Sequence, residues 1–256
     1  MNSPCTIPES ASPLAGDPRA PVNGLLSAHK HFRQLGAMLG WGPKLRIGML
    51  WAFLDESGQY ANGKLVRLTV GGCIAPFDVW EALSMYWAEA IGKMGLSMFH
   101  MTDFEARVPP YRDWTDTQRK DRLNALLNLI GDGKPVCWSA TNIHRQNDTN
   151  ETMYERCAQD ALLNLGLYED ELAVVFAQHP EYRRHNQFLS VLVKNGIGHN
   201  IKTLTVANPQ SLCPLQAADI VAYEIRCEER LERPRRYPLL RLMDLGCTFK
   251  FGMSAN

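Results

Sequence analysis

The feature that most constrains this chain is an apolar segment that runs directly into acid. Residues 50–54 (LWAFL) are followed at once by Asp55, Glu56, Ser57 and Gly58. Such an apolar run predicts a strand buried on both faces, and the glycine predicts a turn after it. Carboxylates beside a core stay ionised only when something compensates them, and a divalent cation held by oxygen ligands is one solution. Because ordinary turns are also rich in carboxylates and glycine, a solvated turn is the alternative interpretation.

Composition places the chain among ordinary globular proteins. Its 256 residues, 45% of them hydrophobic, are enough for one substantial core. The 27 basic and 27 acidic residues cancel, so nucleic-acid or membrane binding would need a local patch. The seven cysteines are scattered without a Cys-x-x-Cys pair, which favours reduced thiols, and no apolar run approaches the roughly 20 residues of a membrane span. We therefore expect a cytoplasmic protein without membrane association.

The first 48 residues are expected to lie outside the folded domain. Residues 1–23 contain five prolines among Ser, Ala, Gly and Asn, a composition that predicts disorder. Residues 25–42 are weakly amphipathic, and glycines weaken the helix that they could form. Since Met49 directly precedes the first strand, we predict a dispensable extension over residues 1–48 and a domain over residues 49–256. Met49 is also a candidate translation start.

Strand and helix patterns alternate through the rest of the chain. Asn62-Gly63 predicts a hairpin turn, because both residues tolerate positive φ, and residues 65–74 then pair antiparallel with the first strand. Gly71-Gly72 predicts a bulge or a close backbone approach. Further strands are predicted over residues 136–143, 172–176 and 201–206, with helices over about 79–94 (N-cap Asp78), 116–130 (capping box Thr115 and Gln118), 154–165, 188–196 and 214–225. The predicted fold class is α/β: a mixed sheet opened by an antiparallel hairpin, with helices on both faces.

A second acid lies inside a strongly helical segment, residues 214–224 (PLQAADIVAYE). Asp219 adjoins the apolar stripe of this helix, with Gln216 three residues before it and Tyr223 four after it. An aspartate among small apolar residues is costly unless a partner compensates it. Both a structural role and a functional role for the Asp219 carboxylate remain open.

Residues 98–105 (MFHMTDFE) place His100, Asp103 and Glu105 between apolar residues. A polar cluster in such a setting predicts either the lining of a cleft or a surface connection.

Two motifs together resemble the bacterial family catalogued as domain of unknown function 3800. They are FLDESG, residues 53–58, and LQAADIVAYE, residues 215–224, and the resemblance covers about residues 49–229. That family looks like a member of the ribonuclease H-like superfamily, in which a carboxylate on the first strand and another on a late helix meet around divalent metal. By resemblance, Asp55 takes the first-strand place and Asp219 the late-helix place.

The resemblance also implies acids from the middle of the chain, and there the match is poor. The strand that ends near Asn142 offers an amide, and Ala177 follows the strand over residues 172–176. We name Glu105, Asp103 and Glu181 as candidates for the missing ligands.

The function implied is that of a single RNase H-like domain that hydrolyses nucleic acid with Mg²⁺ or Mn²⁺. Two such ions about 3.5 to 4 Å apart can activate a water and stabilise the leaving oxygen of a phosphodiester. The catalytic candidates are Asp55, Asp219, Glu56 and Glu105; the metal-binding candidates are Asp55, Asp219, Asp103 and Glu181; the supporting residues are Ser57, Gln216 and Tyr223. The alternative is a non-catalytic RNase H-like module that binds or regulates within a defence or mobile-element system.

Overall fold

In a computed structural model of the chain, the hairpin at Asn62-Gly63 opens a six-stranded mixed sheet. The structure describes residues 49–178, 188–189, 191–192, 198–229 and 237–252. The predicted extension over residues 1–48 and most of the helix predicted over 188–196 lie outside these ranges. The strands are β1 (Leu50–Ala61), β2 (Lys64–Pro76), β3 (Val136–Ile143), β4 (Leu172–Ala177), β5 (Ile201–Ala207) and β6 (Thr248–Gly252). The helices with described bounds are α1 (Phe77–Lys93), α2 (Met101–Ala106), α3 (Asp116–Asp132), α4 (Asn150–Leu165), α5 (Cys213–Glu229) and α6 (Tyr237–Asp244).

The strand order across the sheet is β5-β4-β1-β2-β3-β6. The pairs β1 with β2 and β2 with β3 are antiparallel, whereas β1 with β4, β4 with β5 and β3 with β6 are parallel. The predicted α/β class and the mixed sheet opened by a hairpin are confirmed, and the arrangement is compatible with an RNase H-like fold.

Side chains of β1 alternate between two hydrophobic cores, one on each face of the sheet. Trp51 and Phe53 point into a core that α1, α2, α3, α5 and α6 cover, and Ala52 and Leu54 point into a core that α4 covers. All four side chains are fully buried, as the uninterrupted apolar run predicts. The predicted helices on both faces are therefore present. None of the helices in the described part of the chain has the length and apolarity that a bilayer-spanning segment needs.

Two local predictions at element ends are wrong. Gly58 does not turn the chain, because β1 continues to Ala61 by pairing with β2, and the turn comes only at Asn62-Gly63. Asp78 is not the N-cap of α1, which begins at Phe77. The Phe77 ring packs edge-on against Trp51 with centroids 5.2 Å apart, and the helix begins two residues earlier than predicted. Asp78 instead lies in the first helical turn, where a carboxylate interacts favourably with the helix dipole.

The glycine pair of β2 brings backbones close together, as predicted. A Cβ added at Gly72 would lie 1.9 Å from the carbonyl oxygen of Phe53, so no larger residue fits there. A Cβ at Gly71 would lie 3.0 Å from the Cα of Ala222 in α5. Gly71 also pairs with Asp55 across the hairpin. The missing side chain therefore lets α5 approach the sheet beside Asp55.

Candidate functional site

A cleft of about 560 Å³ opens where the parallel strands β1, β4 and β5 reach their carboxyl ends. The last pair between β1 and β4 is Leu54 with Phe176, so β1 continues beyond its neighbour from Asp55 onward. Carboxyl ends of parallel strands are where open α/β sheets commonly bind ligands. The cleft is lined by Asp55, Glu56, Ser57, Gly58, Tyr60, Leu68, Met98, Phe99, His100, Thr102, Ala177, Gln178, Asn208, Pro209, Gln216 and Asp219.

Strand alternation sets the directions of the three polar residues of β1. Asp55 and Ser57 share the face of Phe53, on which α5 packs, whereas Glu56 belongs to the opposite side of the strand. All three line the cleft because β1 has no β4 neighbour at this level. The amide of Glu56 donates a 2.8 Å hydrogen bond to Oδ1 of Asp55.

Helix α5 presents Gln216 and Asp219 to the same cleft, and both side chains are nearly fully buried. Oδ2 of Asp219 accepts a 2.7 Å hydrogen bond from the amide of Met101. Oε1 of Gln216 accepts from the indole of Trp87 at 2.9 Å and from the amide of Phe99 at 3.0 Å. Its Nε2 donates to the carbonyl of Pro209 at 2.9 Å. Gln216 thus joins α5 to three other parts of the chain. This is a structural role beside the carboxyl groups.

Ser57 connects β1 to α5. Its Oγ accepts a 2.8 Å hydrogen bond from Nε of Arg226, and both residues are buried. The guanidinium of Arg226 also lies over the ring of Tyr223, with 4.7 Å from Cζ to the ring centroid. Tyr223 is outside the cleft lining, and its ring contacts Arg226. These contacts hold the strand and the helix at a fixed separation beside the carboxylates.

All three carboxyl groups of the cleft have raised pKa values. Burial, followed by the charges of Glu56 and Asp219, raises the pKa of Asp55 well above its usual value. Burial, together with the charge of Asp219, raises the pKa of Glu56 from 4.5 to about 8. The pKa of Asp219 is also raised by burial, although His100 and the Met101 amide oppose the shift. A site with this pattern is short of positive charge.

Two of the other predicted acids, Asp103 and Glu105, are not brought into the cleft. Asp103 lies 3.0 Å from Nδ1 of His100, and Glu105 lies 4.0 Å from Nη2 of Arg119. Neither carboxylate is among the lining residues. Glu181 lies outside the described residues.

The two middle positions without acids lie on opposite faces of the sheet. Asn142 shares the face of Trp138 and Ala140, away from α5, and its Nδ2 donates to Asp160 at 2.9 Å. It therefore belongs to a structural network against α4. Ala177 follows Ala173 and Val175 on the α5 face, and it lines the cleft.

Most of the polar side chains in the described lining carry oxygen atoms, which hard divalent cations prefer as ligands. Within the described ranges, however, no group of three or more His, Cys, Asp or Glu side chains is placed to hold a metal ion. Asp55 and Asp219 are therefore two carboxyl groups in one cleft without a third His, Cys, Asp or Glu placed beside them in the described ranges.

Sequence reasoning grouped His100 with the acids but missed how its segment is held. Tyr111, which carried no signal in the sequence, accepts a 3.0 Å hydrogen bond from the amide of His100. Burial raises the pKa of Tyr111, and the charges of Asp103 and Asp219 add to the effect.

The chain matches no model of a known protein family and no curated protein.

Proposed function

We propose that the cleft binds Mg²⁺ or Mn²⁺ and hydrolyses phosphodiester bonds of nucleic acid. The observation that carries the proposal is that Asp55 and Asp219, 164 positions apart in sequence, line one cleft, where the charge of Asp219 helps to raise the pKa of Asp55. Like charges concentrated in this way are stabilised by a bound cation. The resemblance of both acidic motifs to domain of unknown function 3800 supports membership of that family and the same chemistry.

Asp55 and Asp219 would hold the cation through their carboxylate oxygens. Mg²⁺ is commonly bound by one or two carboxylates, and waters and substrate phosphates complete its shell. A partial set of protein ligands is therefore compatible with binding in the presence of substrate. When bound, the cation supplies activation of water and charge stabilisation at the leaving oxygen.

The chain's own residues orient and compensate this centre. Gln216 fixes the separation between α5 and the segment that contains Phe99, because its oxygen accepts two hydrogen bonds. Arg226 and Ser57 hold β1 against α5. Glu56, with a pKa near 8, holds a proton at neutral pH and so limits the negative charge in the cleft.

A non-catalytic binding or regulatory module, in a defence or mobile-element system, is the second candidate. The observation that favours it is the lack, among the described residues, of three side chains placed around one metal position. Such a module would keep the fold and the cleft without cation-dependent cleavage.

Thermal unfolding with and without Mn²⁺ separates the two candidates. A ligand at 100 times its Kd stabilises the native state by about 2.7 kcal/mol, which raises Tm by roughly 5 to 10 °C for a domain of this size. We expect such a rise for the wild type and not for Asp219→Asn. The asparagine amide oxygen can still accept the hydrogen bond of Met101 while the charge is removed, so the variant should fold.

Cleavage of single-stranded and duplex DNA and RNA completes the test. We expect wild-type cleavage that needs Mg²⁺ or Mn²⁺, and loss of it in Asp55→Asn and Asp219→Asn. A wild type whose Tm is indifferent to Mn²⁺, together with an Asp219→Asn variant of clearly lower stability without metal, would show that Asp219 is structural. The binding-module function would then be the better one.

A further inference from the structure

One wall of the cleft is a short segment whose successive backbone amides are bound by side chains. The amide of Phe99 donates to Gln216 at 3.0 Å, and the amide of Met101 donates to Asp219 at 2.7 Å. Between them, the amide of His100 donates to Tyr111 at 3.0 Å. Helix α5 therefore fixes the residues on both sides of His100 directly against the carboxylate site.

The His100 side chain is oriented by a partner of its own. Its Nδ1 lies 3.0 Å from Oδ2 of Asp103, which is three residues later in the first turn of α2. A carboxylate at Nδ1 fixes the ring and leaves Nε2 available to a ligand. Both side chains are more than 40% exposed, at 43% and 45%, so this pair adds little to stability. Stability of the fold therefore does not explain why the His100–Asp103 pair is held at the cleft, with the flanking Phe99 and Met101 bound to α5.

His100 also supplies the charge that the cleft lacks. Among the described lining residues, it is the only side chain that can become positive, and the others include three carboxyl groups. His100 is also close enough to act on the site, since it opposes the rise in the pKa of Asp219 together with the Met101 amide and Arg226. A phosphate that approaches ionised carboxylates at Asp55 and Asp219 meets repulsion, and a positively charged hydrogen-bond donor on the facing wall reduces it.

We propose that His100 is the residue of this cleft that binds the substrate's phosphate, through Nε2, and that Asp103 is its positioning residue. The inference rests on the proposed phosphodiesterase function, because it names the group that receives the phosphate of that substrate. It replaces the metal-ligand role considered for Asp103 with orientation of the imidazole.

Steady-state kinetics on a short oligonucleotide in Mg²⁺ test the role of His100. His100→Ala should raise KM about 10-fold to 100-fold, the range for a lost charge-assisted hydrogen bond, and change kcat by less than about threefold. His100→Gln, which keeps an N–H donor, should recover part of the loss. Asp103→Asn should raise KM by a smaller factor. The control His199→Ala alters an exposed residue just before β5, at the opposite end of that strand from the cleft, and should match the wild type.

A second readout does not depend on cleavage. Inorganic phosphate is titrated into the metal-free wild type, and the imidazole Cε1 proton of His100 is followed by NMR, assigned from its absence in His100→Ala. We expect a saturable shift that needs a higher phosphate concentration in Asp103→Asn.

The two readouts separate failure of this inference from failure of the proposed function. Unchanged KM in His100→Ala, with cation-dependent cleavage intact, would overturn the His100 role and leave the nuclease standing. If no nucleic acid is cleaved, the phosphate titration decides alone: a saturable shift supports the phosphate site, and its absence in the wild type refutes it.

Discussion

Replacing Glu56 by glutamine should stabilise the metal-free protein at alkaline pH and leave it nearly unchanged at acidic pH. The pKa of Glu56 rises from 4.5 to about 8 on folding, because of burial and the charge of Asp219. At pH values between 4.5 and about 8, Glu56 keeps its proton in the folded state and has released it in the unfolded chain. Wild-type stability therefore falls as the pH rises through this window, whereas glutamine, which does not ionise, removes this contribution.

The size of the effect follows from the shift. At about 1.36 kcal/mol per pKa unit, ionising Glu56 in the folded state costs at most about 5 kcal/mol more than in the unfolded chain. The side chain is only partly buried and titrates together with Asp55, so we expect roughly 2 kcal/mol to be recovered. For a domain of this size, that corresponds to about 4 to 8 °C in Tm.

Chemical denaturation of both proteins at pH 5 and pH 9, in EDTA, measures this difference. Glu89→Gln is the matched control, because Glu89 is exposed on α1 and pairs with Lys93. Its substitution should lower stability by at most about 0.5 kcal/mol and should bring no gain at pH 9. If Glu56→Gln gave the same stability difference at both pH values, or no gain at pH 9, the folded protein would not disfavour the charged form of Glu56.

Three further predictions follow from the packing around the cleft. Gly71→Ala should lower the free energy of unfolding by about 1 to 3 kcal/mol in urea titration, because its Cβ would press on Ala222 and displace α5; a neutral result would show that α5 adapts without cost. Asn142→Asp should destabilise by about 1 kcal/mol at pH 7, since the new carboxylate would face Asp160 while Arg156 offsets part of the repulsion, and should leave the Mn²⁺-induced Tm shift unchanged. Ala177→Asp should destabilise the metal-free protein and enlarge that Tm shift, because it adds a carboxylate inside the cleft; a smaller Mn²⁺ shift would contradict the cation site.

Local sequence signals predicted most of the fold because each was strong by itself. The Asn62-Gly63 turn, the apolar run of β1 and the Thr115 capping box need no distant partner, and all three are present. By contrast, α6 and β6 were not predicted. β6 has five partly or fully exposed residues and exists by pairing with the edge strand β3, so its own pattern carries no strand signal.

The candidate site was predicted only where an acid stood in an apolar context. Asp55 and Asp219 satisfied that condition, and the structure places them in one cleft. The bonds that complete the site join distant segments, such as Trp87 to Gln216 across 129 positions and Arg226 to Ser57 across 169 positions. Polar pairs of this kind have no periodicity in the sequence, so only the tertiary structure reveals them.

The face of the strand decides where a further acid could have come from. Side chains of β3 alternate, and Asn142 lies on the face that α4 covers, so an acid at this position would not reach Asp55. Ala177 at the end of β4 does face the cleft, but its side chain is a methyl group and offers no oxygen to a cation. The described carboxylates of the cleft thus come from β1 and α5 alone. Because two elements supply few ligands, waters or substrate oxygens would complete the shell of a cation held there, and a phosphate bound by His100 would strengthen its binding.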